Sequence, residues 1–159
     1  MNKDYITKPI GYARCSNGGF AIQIEKKYRE ALRGLSEFGH INVVWWFSEC
    51  DNDEQRNILT INCPYKGSPE KIGTFATRSP ERPNPIAFTV CEVLSVDEEK
   101  GEIQVSFLDT MDRTPILDIK PYTPSFDRVE RPMVPKWQAQ WPQSIETSGT
   151  FDWSSVFNF

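Results

Sequence analysis

The chain holds one histidine, His40, and four cysteines, Cys15, Cys50, Cys63 and Cys91, none of them in a CxxC pair. Without closely spaced Cys/His ligand pairs the usual zinc frameworks are excluded, and no metal is expected. The cysteines read as reduced, partly buried thiols. No run of about 18 apolar residues occurs, so no membrane-spanning helix is expected. The opening MNKDYITKPIG has no apolar stretch suited to a secretory signal, which makes the cytoplasm the expected compartment. A basic excess is missing too. Lys and Arg number 18 against 22 Asp and Glu, a net charge of −4. That argues against a broad nucleic-acid-binding surface but leaves room for a local basic patch. There is no glycine-rich phosphate loop, no G-x-G-x-x-G fingerprint and no G-x-S-x-G elbow.

What is present is a series of short strand-like runs. Lys8–Ala13 and Phe20–Ile24 read as strands around a glycine-bearing loop, Cys15–Gly19. Glu25–Leu35 carries good helix formers, with Gly34 near its C-terminal end. His40–Ser48 is the strongest strand, dense in β-branched and aromatic residues. A polar connection follows to Ser68, then a strand at Ile72–Ala76. Ile86–Val96 and Glu102–Asp109 read as a hairpin whose acidic turn ends in Gly101. Pro115–Tyr122 is a last strand. Six or seven short strands with so little helix predict a mainly β fold, a small closed or nearly closed barrel with one or two short helices. A doubly wound α/β fold is disfavoured because strands and helices do not alternate. The expected organisation is a barrel domain over residues 1–127 and an irregular Trp/Pro-rich tail over 128–159. In the tail Trp137, Trp141 and Trp153 serve as apolar anchors, either on a second subunit or over the barrel's own core.

Three stretches could carry chemistry. In FATRSPERPNPIAF, Phe75–Phe88, prolines stiffen a loop that presents Arg78, Arg82 and Asn84. Arginine offers a fork of donors for carboxylate or phosphate, and a preformed loop lowers the entropy cost of binding. The alternative is a rigid turn whose arginines pair with Glu81 and nearby acids. In LDTMDRTPILDIKPY, Leu108–Tyr122, Asp109, Asp112 and Asp118 could accept from a diol or amine, and Lys120 and Tyr122 add a cation and a phenol. The alternative is an Asp-capped turn. In the third stretch, Glu37–Glu49, His40 is either a structural hydrogen-bonding residue or an acid–base group. Ser48 and Glu49 close that strand.

FATRSPERPNPI followed by LDTMDRTPILDIKPY resembles the TrmO family, also called TsaA-like or YaeB-like. The likeness extends to Pro9–Gly11 and to ALRGLSEFGH, Ala31–His40, and spans roughly Lys8 to Asp127. It implies an S-adenosylmethionine-dependent methyltransferase acting on the exocyclic nitrogen of threonylcarbamoyl-adenosine in tRNA. It also implies a β-barrel homodimer with the cofactor near the subunit interface. Carried over, cofactor contacts fall on Asn17, Gly18, Gly19, Ser48, Glu49, Arg78, Phe88, Asp112, Arg113, Thr114 and Pro115. Arg82, Asn84 and His40 fall to the substrate. Asp112, Asp118, Lys120 and Tyr122 are the expected catalytic set, with Asp112, Asp118 or Glu49 as base. This chain departs from the family pattern in places. Arg113 stands where the family has a turn glycine, Ala87 replaces a second glycine, and Ser48 replaces a histidine. Two other functions fit the residues: methylation of a small-molecule acceptor, and non-catalytic S-adenosylmethionine binding.

Overall fold

The computed structural model describes residues 5–16 and 18–158. They fall into two units. One holds the residues up to Glu49 together with Pro85–Asp127, and the other holds Cys50–Asn84 and the chain from Arg128 onward. The strands are β1 Gly11–Ser16, β2 Gly19–Ile24, β3 His40–Trp46, β4 Thr60–Asn62, β5 Lys71–Gly73, β6 Ile86–Asp97, β7 Glu102–Val105 and β8 Pro115–Pro121.

In the first unit the expected barrel forms and is closed, in the order β1-β2-β7-β6-β3-β8, antiparallel throughout. Period-2 alternation sets which side chains face inward. Ile41, Val43 and Trp45 of β3 meet Ala87 and Cys91 of β6, Ile22 and Ile24 of β2, Ile103 and Val105 of β7, and Ile116 of β8. β1 contributes Gly11, Ala13 and the partly buried Cys15 to the interior, small residues that let a six-stranded barrel close around branched side chains. Trp45 keeps its one polar atom satisfied inside, with Nε1 donating to Thr89 Oγ1 at 3.0 Å. Burial pushes the Cys91 thiol up to about 12, so it stays protonated at neutral pH and acts as a small apolar filler.

Several local expectations shift. β1 starts at Gly11 rather than Lys8, since Pro9 has no N–H to enter a ladder. The stretch expected as a helix over Glu25–Leu35 is instead two 3₁₀ segments, Lys26–Leu32 and Leu35–Glu37, broken by Gly34 at φ +82°. Leu32 is the one buried residue of the first segment. Tyr28 and Leu35 pack partly buried on the same core, so the stretch does carry an apolar face, but the Gly34 break leaves it too short to be a stable α-helix by itself. The Ile72–Ala76 strand is cut short at Gly73 by a 3₁₀ turn, held by Thr74 Oγ1 donating to Ile58 O at 2.8 Å.

The second unit is built around aromatic rings rather than a sheet. β4 and β5 pair only with each other. Tyr65 is buried and stacks on Trp137 at 4.9 Å between ring centres. Trp141 meets Tyr65 edge-on at 5.1 Å and Trp153 at 5.5 Å, and Phe157 stacks on Trp153 at 5.8 Å. Backbone bonds hold the same segments together: Lys66 N donates to Val156 O at 2.9 Å, and Asn158 N to Pro64 O at 3.1 Å. The three tail tryptophans therefore pack on Tyr65 and Phe157.

Candidate functional site

The barrel register gathers the motif residues of the first unit. β3 ends where β6 and β8 begin, because Trp46 pairs with Ile86 and Trp45 with Ile116. The β1–β2 turn opens at that same end, since β1 runs past its pairing of Tyr12 with Pro115 to reach Ser16 opposite Gly19. Ser48 and Glu49, the Asp112–Pro115 turn, Gly18 and Gly19 thus share one end of the barrel. Asn17 lies outside the described residues.

The turn that leads into β8 is sewn to β1. Arg113 N donates to Ala13 O, and Ala13 N to Thr114 O, both at 2.8 Å. Cys15 N donates to Asp112 Oδ1 at 3.0 Å, and the Cys15 thiol donates to Thr110 O at 3.3 Å. Burial first, and then the Asp112 charge, push that thiol above its ordinary range. Asp112 is consequently committed on one oxygen to shaping the turn. Arg113 sits at φ +66°, so the position keeps the left-handed backbone of a turn glycine while carrying a large cation. Arg113→Gly is expected to raise barrel stability by about 1 kcal/mol, because the left-handed penalty disappears. Thermal denaturation of the two proteins checks this, and a lower midpoint for the glycine variant would refute the strain.

From that end, three strands carry outward-facing residues in rows. Phe88 of β6, Val44 of β3 and Asp118 of β8 form one row; Val90, Asn42 and Lys120 form the next; Glu92 and His40 begin a third. Tyr122 N donates to His40 O at 2.9 Å, and the two rings meet edge-on at 6.3 Å. Neighbouring positions in a row lie about 5 Å apart. The structure thus places Phe88, Asp118, Lys120, Tyr122 and His40 on one face, although they come from three separate segments. Lys120 and Asp118 form an ion pair. Phe88 is 43% exposed, a large apolar ring open to solvent on a polar face.

The Arg78–Asn84 loop belongs to the second unit. Arg82 folds back on it: Nε donates to Ser79 O at 2.7 Å and Nη2 to Thr77 O at 2.8 Å. Thr77 Oγ1 donates to Thr74 O at 2.8 Å, and Ser79 N donates to Thr77 Oγ1 at 3.2 Å. The loop is therefore stapled by Arg82 as well as stiffened by its prolines. Arg78 and Asn84 are exposed.

Two residues of the face escape the sequence pattern. Asn42 is the one polar side chain within the apolar run Ile41–Trp46, and Phe126 sits just beyond the DIKPY motif. Both line a cleft of about 260 Å³ with Lys120, Pro121, Thr123 and Asp127. A second cleft of about 190 Å³ opens beside Ser16, Gly18 and Gly19. Neither reaches the roughly 300 Å³ at which drug-sized ligand pockets begin. Among the described residues, no group of three or more His, Cys, Asp or Glu is placed to hold a metal, and no helix is long and apolar enough to cross a membrane.

A closed antiparallel barrel with motif residues collected at one end, and no phosphate loop, stands apart from the doubly wound nucleotide-binding folds. The model of the tRNA-methyltransferase O N-terminal domain matches residues 5–128, and the chain belongs to that family. It is 36% identical over 118 residues to an S-adenosyl-L-methionine-binding protein of Archaeoglobus fulgidus, covering 74% of this chain and 79% of that one. It is 32% identical over 141 residues to the Mus musculus tRNA (adenine(37)-N6)-methyltransferase, covering 77% of this chain and 32% of the mouse protein. The crystal structure of TrmO from Pseudomonas aeruginosa superimposes with a TM-score of 0.66 at 24% identity, over 87% of this chain and 64% of that one, which shows the same fold. This chain therefore spans under two thirds of that solved TrmO chain and about a third of the mouse protein.

Proposed function

We propose that this protein is an S-adenosylmethionine-dependent methyltransferase acting on the exocyclic nitrogen of a threonylcarbamoyl-adenosine in tRNA. Family membership sets the reaction class. The observation that carries the site is the gathering of Ser48, Glu49 and the Asp112–Pro115 turn at one barrel end, one row from Phe88 and Asp118.

The donor set suits the cofactor's parts. Arg113 offers a fork for a carboxylate, Glu49 an anion for an ammonium or ribose diol, and the Phe88 ring a face for a planar base or a sulfonium. S-adenosylmethionine supplies an electrophilic methyl group with a neutral leaving group. The protein's part is to align an acceptor nitrogen, exclude water and take up the nitrogen's proton. Asp118, ion-paired with Lys120, is the base in this reading, while Asp112 keeps the turn closed through Cys15 N. Tyr122 orients the acceptor. This reading keeps the expected homodimer, with a second copy contributing to the site.

A second reading, a small-molecule acceptor, is favoured by charge. The net charge is −4, Arg82 is spent on its own loop, and Lys120 is paired. Calorimetric titration with S-adenosylmethionine tests the shared premise, and no binding would remove both readings. Labelled methyl transfer into tRNA from a strain lacking its own family member separates them. In single turnover Asp118→Asn should cost about 10²–10⁴ in rate. An unchanged rate would take the base role away from Asp118.

A further inference from the structure

One polar group on the barrel face has no part in the proposed reaction. Asn42 is 4% exposed, and its Oδ1 is sealed from water with no hydrogen-bond partner among the described residues. An acceptor stranded in this way costs about 1–3 kcal/mol. Strand β3 is otherwise Ile, Val and Trp between His40 and the strand end, so an apolar residue would pack there at no such cost. The orphan is therefore a sign that something else supplies the missing donor.

The surroundings say what that is. Asn42 lines the 260 Å³ cleft together with Lys120, Pro121, Thr123, Phe126 and Asp127. The turn that bears Phe126 is fixed: Asp127 Oδ2 accepts from Thr123 N at 2.6 Å, and Phe126 N and Asp127 N donate to Thr123 O at 2.8 and 2.9 Å. Yet the Phe126 ring is 88% exposed. A rigidly carried, solvent-facing aromatic ring is a stacking platform. A carboxamide beside it has one acceptor and two donors, which is the complement of the adenine edge at N6 and N7. Guanine shows only acceptors, O6 and N7, at the same edge and would leave Oδ1 stranded. The terminal amide torsion is broad and two-fold, so either end of the amide can turn to the cleft. The volume suits one base and is too small for a whole cofactor.

We propose that this cleft is a base subsite selective for adenine, in which Asn42 accepts from the exocyclic amine and donates to N7 while the ring stacks on Phe126. The inference rests on the nucleotide-handling reading above and adds a residue that chooses the base. Its source is an RNA strand or a free nucleotide. The test titrates the full chain, with no S-adenosylmethionine present, against AMP, GMP, hexa-adenylate and hexa-uridylate by equilibrium dialysis at fixed salt.

AMP is expected to bind at least about tenfold more tightly than GMP, and hexa-adenylate more tightly than hexa-uridylate. Phe126→Ala should weaken AMP binding about tenfold, and Phe126→Trp should restore it. Asn42→Leu should erase the preference of AMP over GMP while raising the melting temperature, a pairing that a purely structural asparagine would not produce. Hexa-adenylate binding above AMP assigns an RNA strand, and equal affinities assign a free nucleotide. Equal affinity for AMP and GMP overturns the proposal, as does AMP binding that neither Phe126→Ala nor Asn42→Leu alters. Base discrimination without any methyl transfer would keep this inference and refute the methyltransferase. Methyl transfer without discrimination would do the reverse.

Discussion

Gly11→Ala is expected to break the barrel. Gly11 is buried in β1 opposite Ile24 of β2. A Cβ placed there would stand 2.2 Å from Gln23 O and 3.0 Å from both Gln23 C and Ile24 Cα. All three are backbone atoms of a paired strand, so none can swing aside as a flexible side chain would. The chain must either open the β1–β2 ladder or push β1 outward, and β1 is also the strand that closes the barrel against β8. Overpacking of ordinary side chains costs about 1–3 kcal/mol, and a backbone clash should sit at or above the top of that range. For a chain of this size that is a fall in melting temperature of about 10 °C. Gly149→Ala is the control, since an added Cβ there meets nothing within 4 Å and its φ is −65°. Circular dichroism melts of the two variants decide the matter, and equal midpoints would refute the account of why β1 is so small.

Trp141→Ala should have an effect of similar size in the second unit. Trp141 touches Tyr65, Trp137, Trp153 and Phe157, with ring centres between 5.1 and 6.4 Å. No other ring of the cluster joins both tail segments to Tyr65 so broadly. Removing it leaves a void between edge-to-face partners, a change that costs about 3–5 kcal/mol for a buried tryptophan and less for one partly exposed, as here. The tail should then become an early target of limited trypsin digestion, with cuts after Arg128 or Lys136, and the near-ultraviolet aromatic signal should collapse. A variant whose tail resists protease as well as the parent would show that the backbone bonds at Lys66 and Asn158 hold the tail without the rings.

These two sites differ in how far the sequence reveals them. β3, the β6–β7 hairpin and β8 are legible because their side chains alternate or are richly β-branched, and a one-residue slip would turn the core outward. Closure of the barrel follows from the number of such strands. The Arg78–Asn84 loop is legible as stiff from its prolines, but the use of Arg82 as its staple is not, because a guanidinium can reach carbonyls or ligands equally well. The 3₁₀ form of Lys26–Leu32 is hidden for a different reason. Helix propensity favours that stretch locally, and propensity does not separate i→i+3 from i→i+4 bonding. Asn42 reads only as a polar interruption in a good strand. Its orphaned oxygen is a fact of three dimensions. Arg113 lies between these cases, since the turn motif marks the position but not the left-handed backbone that the arginine accepts.

The second unit draws on chain segments that lie on either side of the last three barrel strands. Tyr65 is synthesised long before Trp137, with the residues of β6, β7 and β8 between them. At translation speeds of about 5–20 residues per second, Tyr65 waits several seconds for its stacking partner. During that interval the barrel's closing strands can find their places while the aromatic cluster cannot yet exist. Chain order therefore favours the barrel first and the cluster last. A nascent chain whose barrel strands have left the ribosome but whose tail has not holds Tyr65 without its ring partners, and that window is the one in which it most needs a chaperone.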